Sequence, residues 1–249
     1  MITSFFVALS FLFFSCKKNE DSAASTTSTT SIPEVYKKIY GARDMYVEGN
    51  YIIIKTNALP DHKSPYYKST QWESTKYEAY NGTNASYFSN NAPIQQQNLS
   101  FKIPLNPLVA TNHQATPLGP IGVSLNGVPF FNQYAGNGAS LGSMELNTFD
   151  QYNGHATPMN GGYHYHSEPF WITTNKGKTS LLGFLLDGFP VYGPIENGST
   201  ITNANLDSYH GHTGVTTDYP NGIYHYHVTS NDPYINGNGY YGTPGTVSQ

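Results

Sequence analysis

Thiols are almost missing from this chain: among its 249 residues there is one cysteine, Cys16. A domain formed downstream of it has no disulfide, no cysteine-ligated zinc and no cysteine nucleophile. Charge is scarce too. Asp, Glu, Lys and Arg make up 11% of the residues, and from Phe101 onward only Lys102, Lys176 and Lys178 are basic against eight Asp or Glu. Binding a phosphate backbone takes a basic stripe, and there is none, so nucleic acid is excluded as a partner. The N-terminal apolar run, Phe5 to Phe14, is too short to cross a bilayer. Missing as well are a Gly-x-Ser-x-Gly elbow, a His-Glu-x-x-His zinc motif and a glycine loop that cradles phosphate ahead of a helix. The chemistry left to this chain belongs to histidine, tyrosine and carboxylates.

The apolar run ends at Ser15-Cys16, and Lys17 to Asp21 and a Ser/Thr/Ala-rich stretch from Ser22 to Ser31 follow. A small residue then cysteine after an apolar run resembles a bacterial lipoprotein signal. The resemblance implies a signal peptide over 1–15 and lipidation of Cys16. The alternatives are an ordinary secretory signal or a buried hydrophobic strand. Residues 16–34 lack the apolar surface to offset their ordering entropy and are expected to be a tether. A single domain is expected over 35–249. The lipid bilayer is then a partner, and the domain sits on an outer or cell-surface membrane, facing the periplasm or the exterior.

What the chain does have is a duplication. Tyr163-His164-Tyr165-His166 returns as Tyr224-His225-Tyr226-His227. Each copy follows an Asp-x-Tyr-x-Gly-His string, with Asp150, Tyr152, Gly154 and His155 in the first and Asp207, Tyr209, Gly211 and His212 in the second. Upstream, the segment from Gly122 to Phe131 matches that from Gly183 to Tyr192. The offset is 183 − 122 = 61 at the glycines and 225 − 164 = 61 at the histidines. The repeats therefore run over about 122–168 and 183–229, and their matching Gly-His and YHYH strings hold six of the nine histidines.

With 21 Tyr and 24 Gly and so little charge, the composition suits a β-rich, turn-rich extracytoplasmic domain. Tyr46 to Lys55 predicts two strands around Gly49-Asn50, and Phe101 to Leu105 predicts another, stopped by Pro107. Residues 60–98 are aperiodic and predict a long loop region with one strand near Tyr77 to Tyr80. In each repeat an apolar run meets Asn126-Gly127 or Asp187-Gly188, a two-residue hairpin signal that calls for positive φ at both central positions. Long helices have little room, although Ser143 to Phe149 is able to form one short turn. The tail, 237–249, reads as a loosely held end. The expected fold is all-β, a barrel or sandwich with internal pseudo-twofold duplication.

In a strand, alternate side chains share a face and residues two apart lie roughly 6.6 Å from each other. His164 and His166 therefore point one way and Tyr163 and Tyr165 the other, and the same holds for His225 and His227 against Tyr224 and Tyr226. Paired imidazoles on one face suit a transition metal, zinc or copper, with His155 and His212 as third ligands returned by the glycine before each. The bland alternative has the tyrosines filling the core while the histidines face water. Asp150 and Asp207 are candidates as oxygen ligands, or as acceptors that fix a ligand tautomer, against a plain turn role. His62 and His210 are secondary candidates. Asp187, a possible acid or base, matches Asn126 and is read as a turn residue; His113 is read as solvated, and Met159 as packing rather than an axial copper ligand.

The YHYH strings, Leu125-Asn126-Gly127-Val128-Pro129, the segment from Leu186 to Pro194 and a weaker Leu59-Pro60-Asp61-His62 together resemble the YHYH domain family, over about 57–241. Relatives often carry cysteine where this chain has Tyr152 and Tyr209, so no thiolate or disulfide is implied at those positions. The family name records a motif and implies no reaction. Three functions follow as expectations: a metal-binding envelope lipoprotein, a metal-dependent hydrolase acting on an extracellular substrate, or a non-catalytic module binding a glycan or protein.

Overall fold

The computed structural model describes Met1 and residues 31–249. The expected signal peptide, Cys16 and the tether up to residue 30 lie outside the described residues. Among the described residues no helix is long and apolar enough to cross a membrane.

The strands, in chain order, are β1 (Asp44–Glu48), β2 (Tyr51–Thr56), β3 (Leu99–Pro104), β4 (Gly122–Ser124), β5 (Pro129–Phe130), β6 (Gly154–Ala156) and β7 (Tyr163–Tyr165). Then follow β8 (Leu181–Leu185), β9 (Pro190–Tyr192), β10 (Ile195–Glu196), β11 (Ser199–Thr200), β12 (Gly211–Gly214), β13 (Ile223–His227) and β14 (Thr246–Ser248). Among the described residues three short α-helices accompany them, α1 (Glu73–Lys76), α2 (Ser143–Leu146) and α3 (Phe170–Lys176). A small sheet has the order β1-β2-β3-β14, and a large one the order β12-β13-β9-β8-β4-β5-β7-β6. The fold is thus all-β, as expected, and sandwich-like. The barrel alternative is corrected, because β12 and β6 end the large sheet as free edges and do not pair with each other.

The duplication is visible in the strand order. From the central pair β4–β8 outward, β5, β7 and β6 on one side match β9, β13 and β12 on the other. β4 and β8 are antiparallel with Gly122 opposite Leu185, Val123 opposite Phe184 and Ser124 opposite Gly183. The outer ladders agree as well: Phe130 pairs with Tyr165, and Val191, 61 residues on, pairs with Tyr226. Glycine is required at the seam. A Cβ on Gly122 would lie 2.4 Å from the Phe184 carbonyl oxygen, and one on Gly183 would lie 2.2 Å from that of Val123.

Both sheets feed one core. Leu99, Phe101 and Ile103 alternate inward along β3 and join Ile52 and Ile54 of β2 against Val123, Phe130, Tyr165, Phe184 and Tyr226 of the large sheet. These side chains are almost fully buried, and each large one contributes roughly 1.5–3 kcal/mol through surface removed from water.

The structure differs from the sequence expectation in several local places. The repeat hairpins are not two-residue turns. Gly127 N–H donates to the Ser124 carbonyl (2.9 Å) and Gly188 N–H to that of Leu185 (3.0 Å), so Leu125-Asn126 and Leu186-Asp187 are the turn centres. Only the glycines carry positive φ, +79° and +87°, which is the three-residue hairpin with a glycine bulge. Near Tyr77 there is a one-residue bridge to Ser64, not a strand. Within 143–149 the helical turn is α2, as read, whereas α3, after Pro169, was not foreseen. The tail is not loose, since β14 pairs with β3 and the backbone of Tyr241 and Gly242 bonds buried side chains of Tyr226 and Asp187.

Candidate metal centres

Each hairpin at the ends of the large sheet sets one histidine across from another. In the β6–β7 ladder His155 opposes His164, and in the β12–β13 ladder His212 opposes His225. His166 and His227 complete the two clusters from the same faces. The preceding glycines act differently from the turn role read in the sequence. A Cβ on Gly154 would meet the Tyr163 ring at 2.3 Å, and one on Gly211 the Tyr224 ring at 2.5 Å. Each glycine makes room for a tyrosine, which lies flat beneath its strand while the neighbouring histidine points to the other side.

In the first centre the Nε2 atoms of His155 and His164 are 2.9 Å apart, as are those of His164 and His166. Each Nδ1 faces an acceptor outside the cluster. His164 donates to the Gly162 carbonyl at 3.0 Å and His166 to that of Asn132. His155 Nδ1 meets the Thr148 hydroxyl at 2.8 Å, and that hydroxyl itself donates to the Glu145 carbonyl at 2.7 Å, so here it accepts. With all three Nδ1 protons turned outward, three Nε2 lone pairs converge. A proton would relieve one pair at most, and burial opposes it. His155 and His164 are held well below the usual imidazole range, by burial first and neighbouring imidazoles second, and burial lowers His166 to about 4. Phe131 stacks on His164 and Phe149 on His166, and the three histidines are at most 2% exposed.

The second centre repeats this frame and adds a carboxylate. His225 Nδ1 donates to the Ile223 carbonyl at 3.0 Å and His227 Nδ1 to that of Gly193 at 2.8 Å. These acceptors are the 61-residue equivalents of Gly162 and Asn132. His212 and His227 bring their Nε2 atoms to 3.1 Å. Glu196 of β10 places Oε1 3.2 Å from His225 Nε2 and Oε2 3.3 Å from His212 Nε2. Because the His225 proton is committed to Ile223, its Nε2 lone pair faces a carboxylate oxygen, a contact that favours a cation between them. Burial, with a smaller contribution from the other imidazoles, lowers His227 to about 4. The four groups lie within 4.8 Å of one another, as do the three of the first centre. A metal–nitrogen bond is about 2.0–2.1 Å, so ligand atoms at 2.9–3.3 Å are within reach of one ion.

Sequence reasoning did not find Glu196, Glu145 or Thr148. Glu196 sits just before Asn197-Gly198, whose φ values of +49° and +77° make the β10–β11 ribbon a tight two-residue hairpin. That Asn-Gly pair, three residues past Gly193-Pro194, was its signal. Glu145, on α2, places Oε1 3.4 Å from His155 Nε2, and burial raises its pKa.

Four other candidates fall outside the clusters, and their assignments are corrected. Asp150 and Asp207 touch no imidazole. Asp150 accepts from Tyr163 (2.8 Å), Ser64 (2.6 Å) and the Tyr152 amide (2.9 Å), and Asp207 accepts from Tyr224 and the Tyr209 amide, both at 2.9 Å. Each carboxylate locks its own turn to the first tyrosine of the YHYH strand. His62 lies on the tyrosine face, donating from Nδ1 to the Lys63 carbonyl (2.9 Å) and accepting at Nε2 from Tyr165 (3.1 Å). His210 Nε2 pairs with the Thr229 hydroxyl at 3.0 Å. Asn126 and Asp187 are more than turn residues, bonding the hydroxyls of Tyr165 (3.1 Å) and Tyr226 (2.6 Å). Tyr152 packs on His62 and Tyr209 stacks on His113, with ring centres 4.4 and 4.2 Å apart, so these two tyrosines do equivalent work. His113 is exposed, though its Nδ1 donates to the Tyr240 carbonyl at 3.0 Å. Met159 is fully exposed and packs against nothing.

Fold and site together define a duplicated β-domain with a histidine cluster on each half. The model of the family described as YHYH protein matches residues 100–202 and 195–239, and the chain belongs to that family. No curated protein and no solved structure matches it.

Proposed function

We propose that this protein binds divalent transition-metal ions, zinc or copper, at both histidine centres. The observation that carries this is the outward commitment of every Nδ1 in the first centre, which leaves the unprotonated Nε2 of His164 2.9 Å from those of both His155 and His166. Imidazole without thiolate suits zinc and copper(II), and buried, neutral imidazoles have no proton to lose before binding. The protein acts as a lipid-anchored envelope component through Cys16, facing the periplasm or the exterior. Partition of wild type and Cys16→Ala into detergent, with mass analysis of the mature N-terminus, tests the anchor; unmodified cysteine in the aqueous phase overturns it.

The second reading is a metal-dependent hydrolase acting on an extracellular substrate, favoured by one observation: a cavity of about 370 Å³ is lined by Glu196 and His227 of the second centre. Elemental analysis of tag-free protein tests the metal reading. The expected result is close to two ions per chain, falling toward none when His164, His166, His225 and His227 are all replaced by alanine. Equal metal in both proteins overturns it and leaves the glycan- or protein-binding module in its place.

A further inference from the structure

The two centres share their backbone frame and differ in what surrounds it. In the first, His155, His164 and His166 expose 1%, 2% and 2% of their surface, and Phe131 and Phe149 lie against them. Glu145 contacts His155 there and neither of its partners. In the second, the His212 side chain is 29% exposed and that of Glu196 19%. A cavity of about 370 Å³, against the roughly 30 Å³ that a water molecule occupies in the liquid, reaches Glu196 and His227. Its wall includes Thr179, Asn197, Thr216 and Thr217. The Tyr192 hydroxyl, 2.8 Å from that of Thr216 and 2.9 Å from Asp218, holds this wall in place.

Charge then selects the ligand class. Three neutral imidazoles and one carboxylate leave a divalent ion at the second centre with one unit of positive charge. Hydroxyls and an amide nearby supply neutral donors, and among the lining residues Glu196 is the one acid. Resting on the metal reading above, we infer that the second centre is the reactive one of the pair: its ion accepts a small monoanion, a carboxylate or inorganic anion, from the cavity, while the ion of the first centre stays closed to exogenous ligands.

The test uses the tag-free full chain loaded with cobalt(II), whose visible absorption responds to its ligands, and azide as the anion. Two cobalt ions per chain are expected, with saturating azide changing the spectrum of one of them. The azide response should persist in a His164→Ala, His166→Ala variant and vanish in a His225→Ala, His227→Ala variant. The wild-type titration stands without either variant, since it asks for one azide per two cobalt ions. If no cobalt binds, the metal reading itself fails and the inference with it. If two ions bind and azide alters neither, alters both, or acts through the first centre, the metal reading stands and the assignment of the reactive centre is overturned.

Discussion

Val123 and Phe184 pair with each other across the middle of the large sheet, although each is the other's repeat equivalent, 184 − 123 = 61 residues away. A residue opposed to its own copy marks the axis of the duplication. The two histidine centres consequently sit at opposite ends of one continuous sheet, each on the outermost hairpin of its repeat.

Because this axis is built from backbone in close approach, it tolerates no side chain at its glycines. Gly183→Ala would bring a Cβ within 2.2 Å of the Val123 carbonyl oxygen, and Gly122→Ala within 2.4 Å of that of Phe184. Each is expected to cost about 1–3 kcal/mol or more, the range for overpacking a filled interior. Urea denaturation should show the loss; unchanged midpoints in both variants would remove the seam argument.

Acid should destabilise the metal-free protein. His166, His210 and His227 titrate in the fold at about 4, lowered chiefly by burial from 6.5. Between 6.5 and 4 the unfolded chain therefore takes up protons that the folded chain refuses, and stability falls as pH drops through that window and levels below it. Each shift corresponds to about 3 kcal/mol. Asp187, raised to about 6 by burial, acts in the opposite sense between 6 and 3.8, and Asp150 and Glu145, raised likewise by burial, act with it; burial also lowers His62, His155, His164 and His212, so the histidines outweigh the carboxyls. The urea midpoint after chelation is expected to be lower at pH 4.5 than at pH 7.5, values chosen as roughly the two ends of the histidine window. A higher midpoint at the acid end would contradict the burial account.

Glu196→Gln keeps the shape of the second centre and removes its negative charge. Affinity for one of the two ions should fall by about 10–100-fold or more while the other is unchanged, since perturbing even supporting groups has that effect. Competition with a chromophoric chelator separates the two affinities. Equal weakening of both would mean that Glu196 is not local to one centre.

The two aspartates of the Asp-x-Tyr-x-Gly-His strings should differ in importance although they are sequence equivalents. Asp150 is buried and takes donors from Ser64, Tyr163 and backbone, so Asp150→Ala leaves buried hydroxyls unpaired at a cost of about 1–3 kcal/mol each. Asp207 is exposed, and water can replace it beside Tyr224. Thermal melts should rank the variants in that order, and metal content should be unchanged in both. Loss of one ion on replacing either aspartate would restore it to the site.

Much of this was legible in the residues. The 61-residue offset disclosed the duplication, and the two-residue period of a strand placed the YHYH histidines opposite the tyrosines. The Gly-His pairs led to His155 and His212. What stayed hidden depended on distance in space. Glu196 sits on a two-residue strand whose pattern is too short to read, and Glu145 reaches His155 from a single helical turn. Asp150 and Asp207 looked like metal chemistry because a carboxylate beside a histidine carries no mark of which strand face it serves. The tail looked loose because its anchors, Asp187 and Tyr226, lie in the second repeat.

Anomalous diffraction from crystals of tag-free protein, recorded above and below the zinc and copper absorption edges, tests the central claim most directly. Two peaks are expected per chain. One should lie among His155, His164 and His166, and the other among Glu196, His212, His225 and His227. Density maps that place no anomalous scatterer at either cluster, in crystals grown with the metal supplied, would contradict the account.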